Sequence, residues 1–190
     1  MKEFLERIAA KSPTPGGGSV AAMAGAMACS LAEMVCNLTI GKKKYRDVEE
    51  EMIMMRKKMN EYREKFLNLV DEDADAFNEV MKAYKEKGDV EKALKKAAFV
   101  PYKTAKNCLS IINNLIIIAE KGNKNSITDA GVAALMAISS FKSALLNVKI
   151  NLKYIEDKNY KENMSKEIEE MSKEMEKKFG QVMEIVEKWL

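Results

Sequence analysis

Residues 47–87 read DVEEEMIMMRKKMNEYREKFLNLVDEDADAFNEVMKAYKEK. Apolar side chains recur at Met52, Met55, Met59, Tyr62, Phe66, Leu69 and Val70, then at Phe77, Val80, Met81 and Tyr84. The steps are three and four residues, the period of one helical face. No proline or glycine interrupts them, so the stretch predicts one long helix. The same period continues on both sides. Upstream, a short helix over about 1–10 ends at Lys11-Ser12-Pro13-Thr14-Pro15-Gly16-Gly17-Gly18, because proline and glycine punctuate helices. A second helix starts near Ser19 and runs to about Ile40. Downstream, a fourth covers about 90–121, with Pro101 expected to interrupt and kink it. A fifth starts near Ser126 or Thr128, both good N-caps, and continues to about Asp157. The sixth covers about 160–189, with a stripe through Met164, Ile168, Met171, Met175, Phe179, Val182, Val186 and Leu190. Strand signals are scarce. The expected fold is all-α, one domain over 1–190, a bundle of about six long helices.

Composition narrows the chemistry. At 47% apolar, the 190 residues can bury a core. The 32 basic and 29 acidic residues are interspersed, and a net charge of +3 argues against nucleic acid as a partner. There is no histidine, so proton transfer must use Asp, Glu, Lys, Tyr or Cys. Cys29, Cys36 and Cys108 form no CxxC pair and read as reduced, buried thiols of a cytoplasmic protein. The N-terminus mixes charges and does not read as a signal peptide. The second helix is apolar nearly all round, yet Glu33 and Asn37 make it a poor membrane span. Together with the sixth-helix stripe it offers more apolar surface than one small bundle covers. At least a homodimer is therefore expected.

Four polar segments stand out. Gly16, Gly17 and Gly18 open the second helix at Ser19, where converging amides and the helix N-terminus suit an anion or a polarised carbonyl. A tight entry turn explains the same residues. Asp73 falls on the apolar side of the third helix, between Val70 and Phe77. A carboxylate there is costly unless it is paired or functional. Asp71 and Asp75 flank it, and Glu72 faces solvent. The third segment, Lys121–Gly131, contains Asn125, Ser126 and Asp129. Asp129 is either a first-turn helix acid or a second reactive carboxylate. Further along that helix, Asn147 and Asn151 lie four apart on the buried side, to bridge helices or to hold a polar ligand. The fourth segment sets Lys42, Lys43 and Lys44 beside Tyr45, either as a solvated loop or as a clamp for an acidic tail.

Four stretches, in this order, resemble the cyclodeaminase/cyclohydrolase family, the C-terminal domain of formimidoyltransferase-cyclodeaminase and its free-standing microbial relatives. They are Ser12-Pro-Thr-Pro-Gly-Gly-Gly-Ser-Val20, Leu38-Thr-Ile-Gly-Lys-Lys-Lys-Tyr45, Asp71-Glu-Asp-Ala-Asp-Ala-Phe77 and Asn123-Lys-Asn-Ser-Ile-Thr-Asp-Ala-Gly-Val-Ala-Ala134. The resemblance implies an all-helical fold that assembles through dimers. It implies a folate substrate, in some cells polyglutamylated, and no cofactor beyond tetrahydrofolate as carrier. It implies catalysis by Asp73, with Asp129 next. Substrate binding is then expected at Pro15, Gly16, Gly17, Gly18, Ser19, Lys42, Lys43, Lys44, Tyr45, Asn125, Ser126 and Asn147. The chain carries no transferase domain to make a formimino substrate. That favours hydrolysis of 5,10-methenyltetrahydrofolate to 10-formyltetrahydrofolate over ammonia release from formimidoyltetrahydrofolate. The alternatives from another class are a silent folate-binding subunit and a purely structural bundle. No metal, nucleic acid or membrane is expected.

Overall fold

The computed structural model describes residues 1–190. Six α-helices follow in order: α1 Lys2–Ala9, α2 Gly17–Asn37, α3 Glu49–Glu86, α4 Val90–Lys121, α5 Ile127–Tyr154 and α6 Lys158–Glu187. A 3-10 turn over Lys43–Val48 leads into α3, and a shorter one over Lys124–Ser126 leads into α5. There is no strand.

Four helices form the central bundle. Each of α2 and α4 packs between α3 and α5, and α6 lies along the outside of α4 and α5. The stripe of α3 points inward as its period requires: Met52, Met59 and Phe66 are fully buried. The stripe fails past Val80, where Met81 and Tyr84 are exposed. Alanines and glycines let α2 come close. At Gly25 a Cβ would lie 2.5 Å from the Phe66 ring, so any larger residue pushes α2 off α3.

Three expectations need correction. First, α4 runs unbroken through Pro101. Proline removes the N–H that would bond the carbonyl four residues back, at Ala97. That carbonyl is satisfied from another helix, because Asn151 Nδ2 donates to Ala97 O at 3.1 Å. Second, the stripe of α6 is covered within its own chain up to Val186: Met175 and Val182 are fully buried against α4 and α5, and only the terminal Leu190 is exposed. It gives no argument for a dimer. Third, α5 stops at Tyr154, short of Asp157, because Asp157 is the N-cap of α6 and accepts from the Tyr160 amide at 3.0 Å.

On α2 the expected apolar surplus is visible. One of its faces stays uncovered. Val20, Met27, Met34 and Leu38 are exposed, with Ala24 and Leu31 half-buried between them. Their spacing alternates four and three, the period of a coiled-coil seam. On α5, Val132, Leu135 and Leu146 are exposed too. By length and composition α2 and the segment Lys124–Tyr154 would pass for membrane spans, yet each is more than half buried in the bundle.

Candidate functional site

A cavity of about 480 Å³ opens at one end of the bundle, where α2 begins. The Pro13–Gly18 entry, the C-terminal half of α3, the start of α4 and the end of α5 enclose it. Phe77, Val80 and Leu94 make it apolar on one side, and Tyr84 and Tyr154 stand exposed around it. Asp73 is the one charged residue in the lining.

The Asp73 carboxyl is held against the first turn of α2. A Cβ on Gly18 would come within 2.0 Å of its Oδ1, so only glycine admits the carboxyl there. Ser19 Oγ lies 3.1 Å from Asp73 Oδ2 and 2.9 Å from the Val70 carbonyl. The N-cap of α2 is Gly16, which has no side chain to cap the helix. Asp73 supplies from α3 the acceptor that an N-cap side chain would give. Burial pushes its pKa above the ordinary carboxylate value, and the Ser19 hydroxyl and amide pull the other way. The result is a half-buried carboxyl whose pKa is raised, so it takes up a proton more readily than an exposed aspartate.

On the facing wall, Asn147 packs against Gly17, where a Cβ would sit 3.5 Å from its amide nitrogen. Both cavity amides are tethered by their nitrogens. Asn147 Nδ2 donates to Ser143 O at 2.9 Å, and Asn151 Nδ2 donates to Asn147 O at 2.8 Å as well as to Ala97 O. Their side-chain oxygens bond no protein donor, which leaves acceptor capacity in the cavity lining.

The structure thus brings together Gly16, Gly17, Gly18, Asp73 and Asn147. It sets Pro15 and Ser19 behind them: both are buried, and Ser19 turns its hydroxyl to α3. The remaining expected residues lie elsewhere. Asp129 sits in the first turn of α5. It is 18 residues from Asn147, or about 27 Å along the helix axis. It joins no cavity with Asp73 in this chain. Tyr45 and Asn123 lie at that same far end, where polar groups are spent on tethering backbone. The Asn123 amide donates to Thr39 Oγ1 at 2.8 Å, Asn123 Nδ2 to Leu38 O at 3.0 Å, and the Lys124 amide to the Tyr45 hydroxyl at 3.0 Å. Ser126 is buried at a turn and Asn125 is exposed. Lys42, Lys43 and Lys44 are exposed without a carboxylate partner, Lys44 lying 5.5 Å from the Tyr45 ring centre. Sequence reasoning missed the cavity's apolar wall. Tyr84, Leu94 and Tyr154 carry no motif, and the only signal was a helical stripe continuing past the covered core.

A helical bundle with one half-buried carboxyl at a glycine-lined helix N-terminus is the class that fold and site define. The chain matches the Formiminotransferase-cyclodeaminase family over residues 1–170 and belongs to it. It is 42% identical to the methenyltetrahydrofolate cyclohydrolase of Methylorubrum extorquens over 180 residues, 89% of this chain and 86% of the relative. The rat formimidoyltransferase-cyclodeaminase is 30% identical over 185 residues, 92% of this chain. The chain spans only about a third (34%) of that relative's length. The crystal structure of formiminotetrahydrofolate cyclodeaminase from Thermotoga maritima superposes with a TM-score of 0.95 at 42% identity, covering 98% of this chain and 95% of that one.

Proposed function

We propose that this chain hydrolyses 5,10-methenyltetrahydrofolate to 10-formyltetrahydrofolate. The observation that carries the reading is the sole charge in the cavity, a carboxyl with no lysine or arginine beside it. The methenyl-bridged folate is a planar cation. A pocket with one carboxylate, an aromatic rim and free amide oxygens complements it by charge, shape and hydrogen bonding. Similarity to the cyclohydrolase over nearly the full length of both chains supports the same reaction.

The proton steps follow from one carboxyl. Water attacks the bridging carbon and passes a proton to Asp73, leaving a neutral tetrahedral adduct. As the bond from carbon to N5 breaks, Asp73 returns that proton to N5. The adduct's hydroxyl proton leaves to solvent, and one proton is released overall. The N-terminus of α2 borders the cavity, and its partial positive charge would favour negative charge developing on that oxygen. The route needs no cofactor beyond the folate carrier.

The similarity to the Thermotoga cyclodeaminase favours a second reading, in which the same carboxyl relays a proton from N10 to departing ammonia. Ultraviolet absorbance of the methenyl group separates the two. Hydrolysis removes it faster than the spontaneous rate. A cyclodeaminase instead creates it from formimidoyltetrahydrofolate and releases ammonia, and that outcome would replace the first reading with the second.

The active form in this proposal is a homodimer in the cytoplasm, paired through α2. The seam from Val20 to Leu38 carries no charge, and the one charged residue of α2, Glu33, is bonded to Arg63 at 2.5 Å. Two copies meeting about a two-fold axis can set these helices parallel or antiparallel. Parallel pairing would crowd two sets of three lysines. Antiparallel pairing opposes the helix dipoles and lays the Lys42–Lys44 segment of one copy beside the Gly16–Gly18 entry of the other. The cavity has no cation of its own to hold the glutamate tail of a folate, and this arrangement supplies one. Sedimentation is expected to show a dimer at micromolar protein, and Met27→Glu is expected to dissociate it. A monomer at that concentration overturns the pairing.

A further inference from the structure

Ser19 has no exposed surface, yet its hydroxyl stands between two oxygens of α3. It is 2.9 Å from the Val70 carbonyl and 3.1 Å from Asp73 Oδ2. A serine hydroxyl has one proton and two lone pairs. It cannot donate to both oxygens at once. The Val70 carbonyl is an acceptor only, and so is an ionised carboxylate. A protonated carboxyl, by contrast, is a donor. Each protonation state of Asp73 therefore has its own complete hydrogen-bond pattern at the same heavy-atom positions.

We infer that Ser19 is a positioning residue whose hydroxyl reverses direction as Asp73 gains and loses its proton. With Asp73 ionised, Ser19 donates to Oδ2. With Asp73 protonated, the carboxyl proton is donated to Ser19 Oγ, and the serine proton turns to the Val70 carbonyl. No atom heavier than hydrogen has to move, and no proton leaves the pair by this rotation. Gly18 presses on the carboxyl from one side and Ser19 holds it from the other, so it stays aimed at the cavity in both halves of the reaction. A carboxyl that acts first as base and then as acid needs a partner of this kind. Alanine would serve neither state, and a plain amide donor would serve only the ionised one.

This inference rests on Asp73 being the proton-transfer group. The experiment is the pH profile of kcat and KM for methenyltetrahydrofolate hydrolysis in Ser19→Ala, Ser19→Cys and Ser19→Thr, beside Asp73→Asn. Without the hydroxyl, the ionised carboxyl loses a charge-assisted bond. The low-pH limb of kcat is then expected to move to higher pH in Ser19→Ala and Ser19→Cys, with plateau kcat down roughly 10- to 100-fold and KM near the parent value. Ser19→Thr, which keeps the hydroxyl, is expected to return the limb to its place. Thermal midpoints on the same samples report separately the loss of the α2–α3 clasp through Val70, and that loss alone does not move a limb. If Ser19→Ala does not fold, Ser19→Cys gives the same reading with the volume kept. A folded Ser19→Cys enzyme with the parent limb and parent kcat overturns the inference. Asp73→Asn tells the two levels apart. If the limb survives in Asp73→Asn, the catalytic reading of Asp73 falls. If it vanishes there but stays in place in the Ser19 variants, only the role of Ser19 falls.

Discussion

The two ends of the bundle each carry polar segments and use them in opposite ways. At the Lys42–Asp129 end, amides and hydroxyls bond backbone: Thr39, Tyr45 and Asn123 stitch the end of α2 to the turn before α5, and Lys124 Nζ covers the Ala119 and Glu120 carbonyls at 2.7 and 2.5 Å. Little is left to bind a ligand except the exposed lysines. At the Gly16–Asn147 end, the amide nitrogens are tethered, but a carboxyl and two amides whose oxygens bond no protein donor line a cavity. A polar segment thus becomes a site only where its neighbours leave hydrogen-bonding capacity over. Composition and motif do not show this, because the remainder depends on which helix arrives to use it.

Exchanging the charge at each end breaks the comparison most strongly. Asp73→Asn is expected to keep the fold and lower turnover by roughly 10²–10⁴-fold, the range for a lost acid–base group. Asp129→Asn is expected to leave turnover near the parent value and to cost about 1 kcal/mol or less. Turnover and thermal midpoint on the same preparations decide it. A large loss in Asp129→Asn alone would move the chemistry to the far end or across the dimer.

Next come two stability tests, one for each end. Thr39→Val leaves the buried Asn123 amide without its acceptor, so a loss of about 1–3 kcal/mol is expected in denaturant unfolding, with turnover per folded molecule unchanged. Asn151→Leu orphans the Ala97 carbonyl, with an expected loss of similar size, about 1–3 kcal/mol. That loss is expected to shrink in a Pro101→Ala background, where the helix bonds Ala97 itself. If the two substitutions simply add, Asn151 does not compensate the proline.

A smaller effect is expected at the lysines. Neutralising Lys42, Lys43 and Lys44 together should raise KM for polyglutamylated folate more than for the monoglutamate, with a gap that closes in high salt. Equal changes would return the segment to a solvated turn. The smallest effect is in stability against pH. Burial raises the pKa of Asp73 in the fold, so its contribution is present at low pH and is lost as pH rises through the raised value. Asp73→Asn should therefore gain on the parent in thermal midpoint between acid and neutral pH. A constant difference would mean that Asp73 is not perturbed.

The sequence by itself determined the helices. The three- and four-residue steps of α3 and α6, the glycine and proline punctuation and the caps place the elements within a few residues, because these signals are local and backbone geometry reads them directly. It also marked Asp73, since a carboxylate on an apolar stripe is anomalous at any packing. Family likeness then grouped four motifs as one site, and there the sequence ran out. Only the tertiary structure showed that Asp129 lies about 27 Å from Asn147 along α5, that Tyr45 joins Asn123 and Lys124 at that far end, that Asn151 answers Pro101, and that Ser19 faces a carboxyl 54 residues further along the chain. Each of these depends on which helix lies beside which, and the faces that meet share no period or composition that would reveal the pairing in advance.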